Sequence, residues 1–179
     1  MDAIQGVYFR REDYAGFWRR LWVDVIDTLI IGTVCLGPVI AFDLPLMASP
    51  WILNLYLAIC AIVGFCYFVV LKRSKAGTVG YLVCGVRILG LDGRPARLRS
   101  LTFRTLFAVL GPLCGLESVW IAGDPHRQTL RDKFAQTYVV KRKAVPAGTG
   151  KVIFGYYEIC CYHYILREVE VETTPPVLS

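Results

Sequence analysis

The sequence predicts an all-α membrane protein with two spanning helices, a third membrane segment broken by Gly-Pro, and a small β-containing cytoplasmic cap. The composition is the first reason: of 179 residues, 55% are hydrophobic without counting sixteen glycines, and only 19% are charged. Soluble domains usually contain about 45–50% apolar residues on a count that includes glycine. The second reason is that long apolar runs recur along the chain. The surplus of apolar side chains needs a non-aqueous environment.

The cleanest spanning segment covers residues 51–71. Its twenty-one residues include no charged side chain, and the run stops at Lys72 and Arg73. About twenty apolar residues in a helix cross a hydrocarbon core of about 30 Å. A buried helix of a soluble core is the alternative, but helices so long and so uniformly apolar are uncommon there.

The first membrane segment is predicted at residues 17–42. Carboxylates lie inside its first ten residues, and no small-x-small cleavage pattern follows. Both features argue against a cleaved signal peptide, so we expect a retained helix. Gly37-Pro38 should kink or end it, because proline lacks the N–H that the helix requires.

Basic residues are distributed unevenly around these segments. The linker of residues 72–100 contains seven Lys or Arg residues, whereas the loop of residues 43–50 contains none. The positive-inside rule then predicts a cytoplasmic N-terminus and linker. We expect a multi-pass protein of the inner or plasma membrane.

The third membrane segment, residues 101–122, is interrupted at Gly111-Pro112. Basic residues also follow it, and a simple third crossing would leave them outside the cell. A re-entrant hairpin would return them to the cytoplasm, provided that protein or water covers its non-helical backbone. We favour the hairpin, and a spanning third helix stays open.

The linker and the tail carry strand signals. Asp92-Gly93 lies between apolar residues and predicts a hairpin turn, and Tyr138-Val139-Val140 could pair with that region. Residues 168–172 alternate glutamate and valine, which indicates a strand with one acidic face. We assign residues 1–143 to the membrane domain and residues 144–179 to a C-terminal extension.

Charged residues inside the first segment are the main candidates for chemistry. Arg20, Asp24 and Asp27 lie within roughly 60° of one another on one helix face. A charge near the bilayer centre costs about 2.5–3.5 kcal/mol on insertion scales, so such residues find partners or face water. Asp27 could bind a cation or exchange a proton under the control of Arg20. The alternative is a structural ion pair that fixes helix packing.

The third segment has opposite charges of its own, Arg104 and Glu117, on either side of the Gly-Pro break. Both need partners elsewhere. A carboxylate beyond a broken helix resembles the ion sites of transporters. We favour the plainer interpretation, in which Glu117 lies near a water interface.

Several motifs together resemble the RDD family of integral membrane proteins. They are YAGFWRRLWVDVID, SKAGTVGYLVCGVRILGLDGRP, Arg104 and TLRDKFAQTYVV, in that order, over about residues 14–142. The family's arginine and two aspartates correspond to Arg20, Asp27 and Asp132. Relatives commonly have a lysine where this chain has Tyr81, which puts any ligand role of that lysine in doubt here. The resemblance implies an uncertain activity: most members have no known role, ion or small-solute transport has been proposed, and sodium–proton antiport is attributed to some.

Other signals are weak. Seven cysteines show no CxxC spacing, and His126 and His163 are too few to suggest a metal site. GTGK at residues 148–151 lacks the spacing of a Walker loop. The sequence therefore predicts no enzyme, no cofactor and no metal, and membrane flanks explain its basic residues better than nucleic-acid binding does.

The sequence thus predicts a polytopic protein that binds or transports a small cation, Na⁺ or H⁺, at a buried Arg-Asp site. Three short membrane elements enclose a pathway poorly, so we expect a homo-oligomer or a larger complex within the lipid bilayer. The alternative is a non-transporting accessory or scaffold subunit, whose charges hold helices together.

Overall fold

The fold is described from a computed structural model, which covers residues 5–42, 49–74, 76–110, 121, 124, 126–159 and 162–170. Two compact units are present. One, the helical unit, comprises residues 17–85. The other, the mixed unit, comprises the residues up to 16 and those from 86 onward. The described residues beyond 143 belong to the same compact unit as residues 86–143. The domain boundary at residue 143, proposed from the sequence, stays a prediction.

Two long helices form most of the helical unit. Helix α1 (Phe17–Phe42) continues through Pro38, so the Gly-Pro pair does not end it. Helix α2 (Pro50–Phe65) begins with proline in its first turn, where a missing N–H is harmless. It continues as a π-helical stretch, Cys66–Leu71, and the short helix α3 (Val79–Val83) follows.

Both long helices are of a length and composition that can cross a membrane. The candidate spans are Phe17–Ala41 and Pro50–Leu71, and only 11% and 6% of their most apolar windows are buried within the protein. A core helix of a soluble protein would be mostly buried. The two predicted spanning helices are therefore confirmed, and lipid is the environment that suits their exposed apolar surface.

The mixed unit contains two antiparallel sheets. In the first, β1 (Gln5–Tyr8) pairs with β4 (Gly148–Ile159), which pairs with β5 (Tyr162–Val169). In the second, β2 (Val86–Gly90) pairs with β3 (Thr137–Lys141). The pairing of Tyr138–Val140 with the linker is confirmed.

Two α-helices with described bounds and an aromatic core also belong to this unit. Helix α4 (Leu98–Leu110) precedes helix α5 (Leu130–Ala135). Tyr14 and Tyr138 are buried at the centre, with ring centroids 5.5 Å apart in an edge-to-face arrangement. Such pairs contribute about 0.5–1.5 kcal/mol beyond the burial of their area.

Three further sequence predictions concern a turn, a strand and the break in the third segment. The turn at Asp92-Gly93 is present, closed by the Gly90 N–H donating to the Arg94 carbonyl at 2.8 Å. Of the predicted strand over residues 168–172, Glu168 and Val169 lie in β5 (Tyr162–Val169), and residues 171–172 lie outside the described residues. The break at Gly111-Pro112 and Glu117 lie outside the described residues.

Candidate functional site

Among the described residues of the helical unit, Asp27 is the most deeply buried charged residue, with 1% of it exposed. Arg20 and Val23, on the same face of α1, are buried as well. Residues three, four and seven apart share one side of a helix, so these three side chains form one buried face of α1. The Asp27 carboxylate is thus shielded from solvent by its own unit.

Three groups from distant parts of the chain donate hydrogen bonds to this carboxylate. The Tyr67 hydroxyl and the Gly80 N–H each donate to Oδ1 at 2.8 Å, and the Thr78 hydroxyl donates to Oδ2 at 2.6 Å. Tyr67 in turn accepts from the Val79 N–H at 3.3 Å. We name Asp27, Tyr67, Thr78 and Gly80 the Asp27 cluster. It joins α1, the π-helical stretch and the start of α3 through one acceptor.

The backbone geometry explains why both glycines of the GTVG sequence, Gly77 and Gly80, are glycine. Gly77 has φ of +78°, a left-handed conformation that glycine adopts without strain. A Cβ on Gly80 would lie 2.6 Å from the Val23 carbonyl oxygen and 2.7 Å from Asp27 Oδ1. Only glycine lets this backbone approach α1 closely enough for its N–H to reach Asp27.

Tyr81, next to the Asp27 cluster, is buried in α3. The Lys72 ammonium lies 5.0 Å from the centroid of its ring and 5.4 Å from that of Phe68. A cation at this distance is attracted to the ring face. A lysine side chain is therefore present at this place, although it comes from Lys72 and not from position 81.

A second polar cluster lies in the mixed unit, around Asp132 of α5. Arg104 of α4 forms a buried ion pair with Asp132 and also donates to the Thr137 hydroxyl at 2.7 Å. Thr129 and Asp132 form a capping box, with the Thr129 N–H donating to Asp132 Oδ2 at 3.1 Å. Both charges are compensated by neighbours, as burial requires.

Lys133, the next residue, is the centre of a third cluster in the same unit. Its ammonium lies 2.5 Å from Asp124 Oδ2 and 2.7 Å from the Tyr157 hydroxyl oxygen. Burial by itself lowers the pKa of Lys133, but the hydrogen bonds and electrostatic attraction of Asp124 and Tyr157 together outweigh it, and the pKa is raised. Lys133 is thus held as a cation between β4 and the chain before α5.

His126 connects the aromatic core to β5. Its Nδ1 lies 2.9 Å from the Tyr14 hydroxyl oxygen and its Nε2 lies 3.3 Å from the Val169 carbonyl oxygen. Burial lowers the pKa of His126, while it raises the pKa of Tyr14 to about 12. A neutral imidazole that accepts from Tyr14 and donates to Val169 satisfies both ring nitrogens.

Comparison with known proteins identifies the family. The profile of the RDD family matches residues 14–136, about two thirds of the chain. The chain belongs to the RDD family. A similar protein is the uncharacterized membrane protein YteJ of Bacillus subtilis (strain 168), 28% identical over 141 residues, which are 73% of this chain and 82% of that protein. No solved structure matches.

The RDD residues predicted from the sequence fall in two places. Arg20 and Asp27 lie in the helical unit, with Asp24 half-buried on the same helix. Asp132 lies in the mixed unit and is paired with Arg104, for which the sequence predicted a partner elsewhere in the chain. Among the described residues, no group of three or more His, Cys, Asp or Glu side chains is placed to hold a metal ion.

Sequence reasoning missed the partners of Asp27. Thr78 and Gly80 belong to the GTVG motif, which was noted only as part of the family resemblance. Tyr67 lies in the run of residues 51–71, which was predicted only as a spanning segment. Two glycines flanking a threonine after a spanning helix were the available signal, since glycines mark close backbone approach. The buried Lys133, with its partners Asp124 and Tyr157, had no comparable signal.

Proposed function

We propose that this RDD-family chain is a non-transporting accessory or scaffold subunit of the membrane, in which Asp27 locks the segment after α2 onto α1. The observation that carries this proposal is the set of three donors, Tyr67, Thr78 and the Gly80 N–H, converging on one buried carboxylate. Hydrogen bonds to charged groups contribute about 1.5–3 kcal/mol each. The Asp27 cluster thus supplies its stabilisation within its own chain.

The direction of the donors favours a lock over a cation site. The Gly80 N–H points its proton at Oδ1, and an N–H cannot coordinate a cation. Three of the roughly four acceptor sites of the carboxylate are already used, so an arriving cation would compete with these donors. A backbone donor displaced by the cation would be left unsatisfied, at a cost of about 1–3 kcal/mol. A carboxylate that already accepts three hydrogen bonds is better suited to stabilising the fold than to exchanging ions.

Binding or transport of a small cation is the second candidate. In its favour, the Thr78 hydroxyl oxygen lies 2.6 Å from Asp27 Oδ2, and the Tyr67 hydroxyl oxygen lies 2.8 Å from Oδ1. Hydroxyl and carboxylate oxygens are the ligands of hard cations such as Na⁺. Protonation of Asp27 would likewise remove an acceptor and loosen the segment that it holds.

One experiment separates the two candidates. Wild type and Asp27→Asn are purified in detergent for thermal unfolding and reconstituted in proteoliposomes for Na⁺ and H⁺ flux. As a lock, Asp27→Asn should lower the free energy of unfolding by about 3 kcal/mol, because an amide cannot accept all three donors. Wild-type vesicles should show no flux above protein-free vesicles.

Milder variants cover the case in which Asp27→Asn does not fold. Tyr67→Phe and Thr78→Val each remove one donor and keep the carboxylate, and each should destabilise the protein. Thr28→Val is the matched control, since Thr28 is exposed on α1. Flux in wild type that disappears in a folded Tyr67→Phe or Thr78→Val variant would overturn the lock in favour of transport.

The setting of this subunit is also proposed. The basic linker of residues 72–100 supports a cytoplasmic N-terminus in the inner or plasma membrane. The exposed apolar surface of the two spans suits packing against copies of the chain or a larger complex. The absence of enzymatic activity stays a prediction.

A further inference from the structure

We infer that the mixed unit binds the phosphate headgroup of an anionic phospholipid. The site is a cavity of about 380 Å³ lined by three arginines, Arg97, Arg99 and Arg167. It lies apart from the Asp27 cluster and does not depend on the function proposed for that cluster. The cavity volume falls within the range of pockets that hold small polar ligands.

The charge of the cavity favours an anion. Asp92 is the one carboxylate among its lining residues, set against three guanidinium groups. Asp92 Oδ1 already accepts from the Arg94 N–H at 3.1 Å, within its own turn. In the part of the chain that the structure describes, none of the three arginines has an ion-pair partner. Guanidinium groups bind phosphate through paired N–H donors, which suits them to this ligand.

The start of α4 adds to the positive potential. Arg97 directly precedes the helix, Arg99 and Ser100 lie in its first turn, and that turn contains no acidic residue. The first N–H groups of a helix have no partner within it, and the helix dipole favours negative charge there. The arginine side chains and the N-terminus of α4 therefore both favour a bound anion.

The surface beside the cavity favours a lipid over a soluble phosphate. In the β4–β5 register Arg167 is opposite Phe154, and Tyr156 is opposite Ile165. Residues two apart on a strand share a face, so these four side chains lie together. Phe154 and Ile165 are well exposed, and Tyr156 is 82% exposed. Aromatic and aliphatic side chains beside basic ones are typical of a membrane–water interface.

Tethering makes the lipid available. Helix α1 begins at Phe17, immediately after the last residue of the mixed unit's N-terminal segment. A covalent link to a membrane helix raises the local concentration of headgroups far above that of a free solute. A weak site would therefore be occupied.

The test uses the full chain in neutral detergent. Dioctanoyl phosphatidylglycerol is titrated in, and binding is followed by calorimetry and by native mass spectrometry. Dioctanoyl phosphatidylcholine and inorganic phosphate are the other two ligands. The double variant Arg97→Gln/Arg167→Gln is compared with Arg10→Gln/Arg11→Gln, which removes the same charge from exposed residues outside the cavity.

Wild type should bind phosphatidylglycerol and should bind phosphatidylcholine more weakly. The cavity variant should bind phosphatidylglycerol about thirtyfold more weakly than wild type, and the control variant should keep the wild-type affinity. Three results would overturn the inference. Absence of phosphatidylglycerol binding is the first. Equal loss in the control variant would show diffuse attraction to a basic protein. Displacement of the lipid by an equal concentration of inorganic phosphate would show a site for soluble anions.

Discussion

At the scale of single residues, Gly80 decides how closely α3 approaches α1. The carboxylate of Asp27 can accept from a backbone N–H only if no side chain lies between the two segments. In Gly80→Ala the new Cβ would meet the Val23 carbonyl oxygen at 2.6 Å and Asp27 Oδ1 at 2.7 Å. The Val23 oxygen is backbone, and the Asp27 side chain is held by three hydrogen bonds, so the backbone must shift.

We expect Gly80→Ala to lower the free energy of unfolding by about 1–3 kcal/mol, the usual cost of overpacking. Thermal unfolding of the detergent-solubilised protein measures the change. Gly32→Ala is the control, because an added Cβ there meets nothing within 4 Å, and alanine favours a helix by up to about 1 kcal/mol. If both variants were equally stable, the close approach of α3 to α1 would be refuted.

At the scale of elements, the ion pair of Arg104 and Asp132 joins α4 to α5. The Arg104 guanidinium also donates to Thr137 at the start of β3, so one side chain connects two helices and a strand. Removing one member of a buried pair costs about 3–5 kcal/mol, because the other charge is left uncompensated. Arg104→Met should therefore destabilise the mixed unit severely.

The double variant Arg104→Met/Asp132→Asn should be less destabilised than Arg104→Met alone, since no charge is then left buried. The double-mutant cycle, from chemical unfolding of all four proteins, gives the coupling free energy. Additive effects of the two substitutions would contradict a direct pair. The capping box of Thr129 is retained by asparagine in part, since its amide oxygen can still accept.

The same elements indicate what the sequence can and cannot predict. The spans Phe17–Ala41 and Pro50–Leu71 were predictable, because apolar length is a local property. The partners of Asp27 were not, because Tyr67, Thr78 and Gly80 follow it by 40 to 53 residues. The sequence indicated that Arg104 needed a partner, but only the fold identified Asp132 as that partner. The tyrosine-rich β4–β5 hairpin had no simple alternation of apolar and polar residues.

At the scale of the whole molecule, the two units differ in how far they bury apolar side chains. The helical unit exposes most of its apolar windows, which suits lipid, whereas the mixed unit has a buried core around Phe9, Tyr14 and Tyr138. Chains with two compact units commonly unfold in more than one step. We therefore expect separate transitions, with acid affecting the mixed unit through His126.

His126 determines the direction of that pH effect. Burial lowers its pKa below the ordinary value of 6.5, so between the two values the unfolded chain binds more protons than the folded one. The stabilisation is complete above pH 6.5 and is lost as the pH falls toward the lower, folded value. The Tm of the mixed-unit transition should fall from pH 7.5 to pH 5 in scanning calorimetry. His126→Gln should flatten this dependence, whereas His163→Gln, at an exposed position on β5, should leave it unchanged. If both variants kept the wild-type dependence on pH, another group would have to be responsible.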